Sequence, residues 1–234
     1  QDIIDGVKNG TLDEKIVDRN VRRILELIVK TPVFKGYKYS NSPDMISHAA
    51  VTRQSATEGM VLLKNDNSTL PLKSGDRKVA LFGNVSYNFF SGGTGSGDIN
   101  RPYVVSLLDG LKNQNIVVDD NLKAIYSGYS KPQEQGEQVR IGEMPVDTAI
   151  IKYAAENNDM AIVTIGRISG EYVDRVSSDF FLSDVEYQLM KDVTRIFHEA
   201  GKKVAVVLNV GGVIETKSWK NMPDAILLSW QAGQ

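Results

Sequence analysis

Two hydrophobic patterns alternate along most of this chain of 234 residues. Short, nearly continuous apolar runs are typical of strands that are covered on both faces, as in parallel sheets. Between those runs, apolar residues recur with the period of a helix. The patterns predict strands at 60–63, 78–82, 161–165, 204–208 and 225–228, and helices at 44–57, 106–113, 147–156 and 183–200. This alternation predicts an α/β fold in which a largely parallel, doubly wound sheet is sandwiched between helices.

The hydrophobic pattern at the beginning of the chain differs from this alternation of strands and helices. Thr11-Leu-Asp-Glu14 matches a capping box, and after it apolar side chains at helical spacing alternate with Asp and Arg. Thr31-Pro32 ends this amphipathic helix, because the residue before proline is driven out of the helical region. We therefore predict that residues 1–35 close a preceding domain, that 36–45 form a linker, and that 46–234 form the α/β domain, truncated at its C-terminal end.

Composition narrows the class of protein. Hydrophobic residues make up 41% and charged residues 24%, as in ordinary globular proteins. A net charge of -2 without a basic stripe argues against a nucleic-acid partner, and no apolar stretch approaches the roughly 18 residues of a membrane span. With no cysteine, and with His48 and His198 as the only histidines, there is little material for a thiolate nucleophile or a metal centre. We expect no cofactor and no metal, and a periplasmic or secreted location rather than a cytoplasmic one.

Ligands of open parallel sheets usually meet the loops beyond the carboxyl ends of the strands. One such loop, 91–98, is rich in glycine, yet Asp98 stands where a dinucleotide-binding fingerprint needs its third glycine. The loop also lacks the Gly-Lys-Ser/Thr sequence of a phosphate-binding loop. Two interpretations stay open, a surface loop or a backbone that passes close to a ligand.

A second loop, 166–175, gathers the charged residues Arg167, Glu171, Asp174 and Arg175. A general acid must hold its proton near the operating pH, which burial or a neighbouring negative charge promotes. Glu171 is followed by apolar side chains and then by Asp174, whereas the arginines act in the opposite sense unless they pair elsewhere. On these residues alone, a solvated surface glutamate is the commoner interpretation.

Several segments resemble, in order, the C-terminal α/β domain of family 3 glycoside hydrolases of the β-glucosidase type. The matching segments are 55–66 with 70–72, 79–83 with 92–97, Arg167-Ile-Ser-Gly-Glu-Tyr-Val-Asp-Arg175, 202–209, and Trp219 with 225–234. Upstream, 6–10 and 17–25 are similar to the last helix of the (β/α)8-type barrel that precedes this domain in the family. The resemblance extends over nearly the whole chain. It rests on the order of the matching segments and not on any single motif.

The resemblance implies a retaining exo-β-glycosidase, a β-glucosidase that removes terminal nonreducing β-D-glucosyl residues. Glu171 would be its general acid/base. Substrate contacts would come from Gly93, Ser96, Arg167, Asp174 and Arg175. The aspartate nucleophile would lie on the barrel, outside this chain, so the chain without the barrel would be inactive. The partners would be a β-glucoside or short β-glucan and the barrel of the same polypeptide, with no nucleic acid and no membrane.

Alternatives stay open at this point. A β-xylosidase or a related family 3 glycosidase is the runner-up, because the pocket that selects the sugar would lie outside this chain. A non-catalytic α/β module that supports the barrel belongs to another class of function, as does a flavodoxin-like nucleotide-binding module. Tyr172 departs from the pattern, since this branch of the family commonly has glycine after the glutamate. Trp219 and Trp230 are predicted to be core or domain-interface residues.

Overall fold

A mixed six-stranded sheet organises the larger part of the chain. The structure is a computed structural model, and it describes residues 1–73, 78–98, 100–129, 142–169, 171 and 175–232. By its internal contacts the chain divides into two units, Gln1–Met45 and Ile46–Gln234. The assignment of residues 1–35 to a preceding barrel, with a linker at 36–45, stays a prediction.

The sheet is parallel except at one edge. Its strands are β1 (Val61–Asn65), β2 (Lys78–Phe82), β3 (Val117–Val118), β4 (Met160–Arg167), β5 (Lys203–Val210) and β6 (Ala225–Leu228). They lie in the order β1-β6-β5-β4-β2-β3, and β1 pairs with β6 in the antiparallel sense. The longest pairing joins β4 to β5, from Met160 opposite Lys203 to Arg167 opposite Val210. The carboxyl ends of β2, β4, β5 and β6 therefore meet at the same edge.

Helices cover the sheet on both faces. In the larger unit they are α3 (Met45–Gly59), α4 (Leu107–Asn113), α5 (Asp120–Tyr129), α6 (Thr148–Asn157), α7 (Ser177–Phe180) and α8 (Asp184–Glu199). One core contains alternate strand residues such as Phe82, Val163 and Val206, packed with residues of α5, α6 and α8. The residues between them, such as Leu81 and Ile162, pack on the opposite face with residues that include Leu111 of α4. The predicted fold class is confirmed.

Three of the described α-helices and strands of this unit are absent from the sequence prediction, namely β3, α5 and the four-residue helix α7. The short strand β3 and the helix α5 follow a turn at Asn115, whose φ is 58°. Asp119 begins the helix, because its side chain accepts a hydrogen bond from the backbone N–H of Leu122 at 3.0 Å. A two-residue strand has too few side chains to show an alternating pattern, which explains why it was missed.

The smaller unit contains α1 (Asp2–Lys8) and α2 (Glu14–Ile28). The predicted capping box at the start of α2 is wrong. Asp13 caps the helix by accepting a hydrogen bond from the backbone N–H of Lys15 at 2.9 Å. The hydroxyl of Thr11 instead donates to the side chain of Asn9 at 2.6 Å, because the chain turns at Gly10 with a φ of 77°. No helix in the described residues has the length and apolar character that crossing a bilayer requires.

We predict that Gly83→Ala lowers the free energy of unfolding by about 2 kcal/mol or more. Gly83 has a φ of 94°, and a Cβ there would lie 2.3 Å from the carbonyl oxygen of Thr164. Gly110→Ala is the matched control, because Gly110 lies inside α4 and a Cβ there would meet no atom within 4 Å. Urea unfolding should show this control unchanged or stabilised by up to about 1 kcal/mol. Equal midpoints for the two variants would contradict the prediction.

Candidate active site

Four loops meet at the carboxyl edge of the parallel strands, where open α/β sheets usually bind ligands. They follow β2, β4, β5 and β6. Asn209, which is 0% exposed, joins two of them. Its side-chain amide donates to the carbonyl oxygens of Phe90 at 3.0 Å and Trp230 at 2.7 Å, and its side-chain oxygen accepts from the N–H of Phe90 at 2.7 Å. This buried amide fixes the base of the glycine-rich loop.

Two glycines let these loops approach one another. A Cβ on Gly166 would lie 2.4 Å from a side-chain carbon of Val85, in the segment that leads to the glycine-rich loop. A Cβ on Gly211 would lie 2.1 Å from the hydroxyl oxygen of Ser169 and 2.3 Å from the side-chain oxygen of Gln231. Any larger side chain at either position would force the loops apart.

The glycine-rich loop contacts Glu171 directly. The hydroxyl of Ser96 donates a hydrogen bond to Oε1 of Glu171, and the hydroxyl of Thr94 donates to its backbone oxygen at 3.3 Å. Gly95 has a φ of 68°, and a Cβ there would lie 2.6 Å from the Cβ of Glu171. The structure thus brings together Glu171 and Ser96, two of the residues predicted from the sequence. Gly93 is half-buried in the same loop.

Arg167 is 4% exposed and has all five of its N–H groups engaged inside the protein. Two of them donate to the carboxylate of Glu186, at 2.6 and 2.7 Å. The others donate to the backbone oxygens of Gly166, Phe181 and Asp179. A guanidinium with no donor left has none to offer a sugar hydroxyl, so this geometry favours a bracing role over the predicted substrate contact.

Glu186 serves two elements at once. Besides its bond with Arg167, its Oε2 accepts from the backbone N–H of Ser183 at 2.7 Å, and Ser183 caps α8 in return. The predicted capping box at this helix is confirmed. Burial alone would raise the pKa of Glu186, but the hydrogen bonds and the positive charge of Arg167 lower it below the ordinary value.

Arg175 braces the same loop from the other side. Its Nη2 donates to the backbone oxygen of Asp179 at 2.9 Å, the oxygen that also accepts from Arg167. Its Nη1 donates to the backbone oxygen of Val213 in the loop after β5, at 2.8 Å. The predicted substrate contact Asp174 lies outside the described residues, as does Tyr172.

Glu143 is a residue that the sequence analysis missed. Its Oε2 accepts from the backbone N–H of Asn84 at 3.0 Å, and its Oε1 from that of Met144 at 2.9 Å. Burial raises the pKa of Glu143 to about 7, the charge of Glu186 adds to the rise, and the two backbone N–H groups oppose it. Glu143 follows a polar stretch of the chain without periodic pattern, so no sequence signal distinguishes it.

A cavity of about 640 Å³ lies between the segment after β2, the end of β4 and the start of α8. Its lining includes Asn84, Phe90, Glu143, Ser169, Arg175 and Asp184. Its volume falls within the usual range for small-molecule sites. Within the described residues, no group of three carboxylate or imidazole side chains is arranged to hold a metal ion.

The fold and the loops define a class: an α/β domain in which a glycine-rich loop contacts an exposed glutamate at the carboxyl edge of the sheet. The profile of the glycosyl hydrolase family 3 C-terminal domain matches residues 60–234. The chain belongs to glycosyl hydrolase family 3.

Three known proteins illustrate the similarity. β-Glucosidase A of Butyrivibrio fibrisolvens is 33% identical over 222 residues, which cover 80% of this chain and 25% of that protein. The structure of β-glucosidase 3B from Thermotoga neapolitana in complex with glucose is 42% identical with a TM-score of 0.86, over 100% of this chain and 34% of that one. An exo-α-(1→6)-L-arabinopyranosidase of Bifidobacterium longum is 27% identical over 99% of this chain and 30% of its own length. The chain thus spans about a quarter to a third of these relatives.

We predict that Glu186→Gln lowers the free energy of unfolding at pH 7 by about 3–5 kcal/mol, because it leaves the charge of Arg167 buried and unpaired. The double variant Arg167→Met/Glu186→Met should recover most of that loss, since it removes both charges. Glu199→Gln is the control, because Glu199 forms an exposed pair with Arg195 at 3.1 Å and should change little. Urea unfolding measures all three. A double variant no more stable than Glu186→Gln would show that the pair is not the source of the loss.

The raised pKa of Glu143 predicts a pH-dependent contribution to stability. The unfolded chain releases this proton near the ordinary pKa of 4.5 and the folded chain near 7. Between these values the folded state binds more protons, so the contribution is complete below pH 4.5 and is lost as the pH rises through 7. The loss amounts to about 3 kcal/mol.

The measurement is the difference in unfolding free energy between Glu143→Gln and the unsubstituted protein from pH 4.5 to 8. We expect the difference to shift in favour of the variant as the pH rises. Glu156→Gln, at an exposed position of α6, is the control. A difference that stays constant with pH would mean that Glu143 titrates at its ordinary value.

Proposed function

We propose that this chain supplies the general acid/base, Glu171, to a retaining exo-β-glycosidase that removes terminal nonreducing β-D-glucosyl residues. The observation that carries the proposal is the contact between the exposed side chain of Glu171 and the glycine-rich loop. The hydroxyl of Ser96 bonds Oε1, and Gly95 is needed where the loop passes the side chain. A glutamate on an ordinary surface does not require a glycine opposite its own Cβ.

In the first step of this reaction, Glu171 donates its proton to the glycosidic oxygen while a second carboxylate attacks the anomeric carbon, and the aglycone leaves as an alcohol. In the second step, Glu171 takes a proton from water, and the oxygen of that water displaces the carboxylate from the anomeric carbon. The attacking carboxylate would lie about 5–5.5 Å from that of Glu171. We propose that the barrel preceding this domain in the same polypeptide provides it.

Other loop residues position this glutamate. Ser96 holds one carboxylate oxygen, while Arg167 and Arg175 brace the loop that carries Glu171 through the backbone oxygen of Asp179. A rigid loop matters because general acid catalysis requires the proton donor within hydrogen-bond reach of the leaving oxygen. The rival interpretation, a module that only supports the barrel, would not need this contact between the glycine-rich loop and Glu171.

The relatives guide the choice of sugar. One is a β-glucosidase by name, another is a β-glucosidase whose structure contains glucose, and a third is named for a pentopyranoside, an α-L-arabinopyranoside. We propose a β-glucoside or short β-glucan as substrate. A related glycosidase such as a β-xylosidase is the alternative, because a β-xylopyranoside differs from a β-glucopyranoside only in lacking the hydroxymethyl group.

The test is Glu171→Ala in the complete polypeptide, assayed with an aryl β-glucoside that has a good leaving group. Removing the acid/base should lower turnover roughly 10²–10⁴-fold, because the second step loses its base. Azide needs no base, so it should restore turnover and yield a β-glycosyl azide. Glu156→Ala, at an exposed position of α6, is the control and should retain normal activity.

The outcomes separate the rival functions. Normal turnover by Glu171→Ala would make this domain a support for the barrel. An α-glycosyl azide as product would contradict the retaining mechanism. The preferred sugar is tested by assaying the unsubstituted enzyme with an aryl β-xyloside and an aryl α-L-arabinopyranoside. If either is hydrolysed faster than the aryl β-glucoside, that glycoside becomes the proposed substrate.

A further inference from the structure

Glu143 is a buried carboxyl group that takes no part in the proposed reaction, yet hydrogen-bond donors converge on it. The backbone N–H groups of Asn84 and Met144 donate to its two oxygens at 3.0 and 2.9 Å. The phenol of Tyr126, whose pKa is raised in part by the neighbouring charge of Glu143, accepts the backbone N–H of Gly83 at 2.9 Å. The carboxyl group of Glu143 therefore holds Asn84, and the adjacent phenol holds Gly83, at the point where the chain leaves β2.

The segment that starts there ends at the candidate acid/base. Residues 83–98 run from Gly83 through the glycine-rich loop, and Gly95 and Ser96 in that loop contact Glu171. Further attachments hold the segment between these points, at Ser86 to Thr164 and at Phe90 to Asn209. The attachment at Glu143 differs from them because it is ionisable.

The charged groups around Glu143 leave it without a dedicated counter-ion among the described side chains. Arg167 and Arg175 line the same cavity, but Arg167 bonds the carboxylate of Glu186, and Arg175 donates to the backbone oxygens of Asp179 and Val213. The other acidic groups on this side are Glu186, Asp179 and Asp184, which line the cavity too, and Asp119, which acts on Tyr87 where that ring stacks on Tyr126. The charge on Glu143 is thus stabilised mainly by two backbone N–H groups, one of which, that of Asn84, belongs to the segment it holds.

We propose that Glu143 is a positioning residue for the acid/base: in its ionised form it fixes the start of segment 83–98 and, through that segment, the carboxylate of Glu171. The proposal rests on the proposed function of Glu171. The ionised carboxylate can accept every donor around it. Protonation removes the negative charge and makes the carboxyl oxygens weaker acceptors, so the hydrogen bond from Asn84 that holds the segment is weaker in the protonated form.

The first test is Glu143→Gln in the complete polypeptide, because the amide keeps the size of the side chain but turns one acceptor into a donor. We expect kcat/KM for an aryl β-glucoside to fall about 10-fold to 100-fold, as a small displacement of a catalytic group does. We also expect the ionisation near pH 7 to disappear from the pH profile of kcat/KM. Glu156→Gln should leave both unchanged. An unaltered rate and profile in Glu143→Gln would overturn the proposal.

The second test separates positioning from general damage to the fold. In the Glu171→Ala background the azide-rescued rate no longer depends on where Glu171 lies, so adding Glu143→Gln should leave that rate unchanged. A further fall in the rescued rate would show that Glu143 is merely structural. If the single variant Glu171→Ala showed near-normal turnover, the proposed function itself would be contradicted. The failure of the positioning proposal and the failure of the proposed function are therefore distinguishable.

A variant that removes a different atom covers the case in which Glu143→Gln does not fold. Tyr126→Phe keeps the ring in the core and removes the hydroxyl that accepts the backbone N–H of Gly83 at the start of segment 83–98. We expect the same loss of kcat/KM to a smaller degree, and again no effect on the azide-rescued rate of Glu171→Ala. Activity equal to that of the unsubstituted enzyme would contradict the proposal.

Discussion

The buried ion pair between Arg167 and Glu186 is the interaction on which the loop edge of this domain depends. Placing a guanidinium in the interior is costly unless each donor is satisfied. Here one carboxylate and the backbone oxygens of Gly166, Asp179 and Phe181 satisfy them. Those oxygens lie on both sides of Glu171 in the chain, so the electrostatic requirement of one side chain fixes the backbone at Gly166 before it and at Asp179 and Phe181 after it.

Glycine imposes the complementary constraint. Parallel strands bring their carboxyl ends to one edge, so several loops compete for the same space. Gly83, Gly166, Gly95 and Gly211 each lie where a Cβ would come within 3 Å of another segment. The contacts of Asn209 depend on this close packing. Its side-chain amide donates to the loops after β2 and β6 because both loops pass close to it. Close packing at this edge of the sheet thus holds the loops in fixed positions.

How far the sequence predicts this arrangement depends on the range of each interaction. The strands and long helices follow from local periodicity, and the Ser183 capping box is visible because its partners lie three residues apart. The role of Arg167 is not visible in this way. Its partner Glu186 is 19 residues away and is already explained by the cap, so nothing in the sequence signals a second bond.

The residues of the site differ in how far the sequence predicts them. Glu171 and Ser96 are predicted through the resemblance of ordered segments, not through any local rule, since they are 75 residues apart. Glu143 lies next to a polar stretch that has no periodicity, and the fold alone brings its carboxyl group to Asn84. In the sequence, Asn209 only follows a predicted strand. The parallel register of the folded sheet places its side chain between two loops. Local patterns thus define the sheet, while the polar contacts that give the edge its chemistry are set by tertiary geometry.

Glu143 and Glu186 show how one edge can hold two carboxyl groups with opposite properties. They line the same cavity, and the charge of Glu186 raises the pKa of Glu143, whereas Arg167 bonds Glu186 and lowers the pKa of that group. Among the described side chains no cation bonds Glu143, and its pKa is raised to about 7. The fold is therefore most stable when Glu143 is protonated, whereas the backbone of Asn84 is held most firmly when Glu143 is ionised. The ionised form thus contributes to the position of the glycine-rich segment rather than to the stability of the fold.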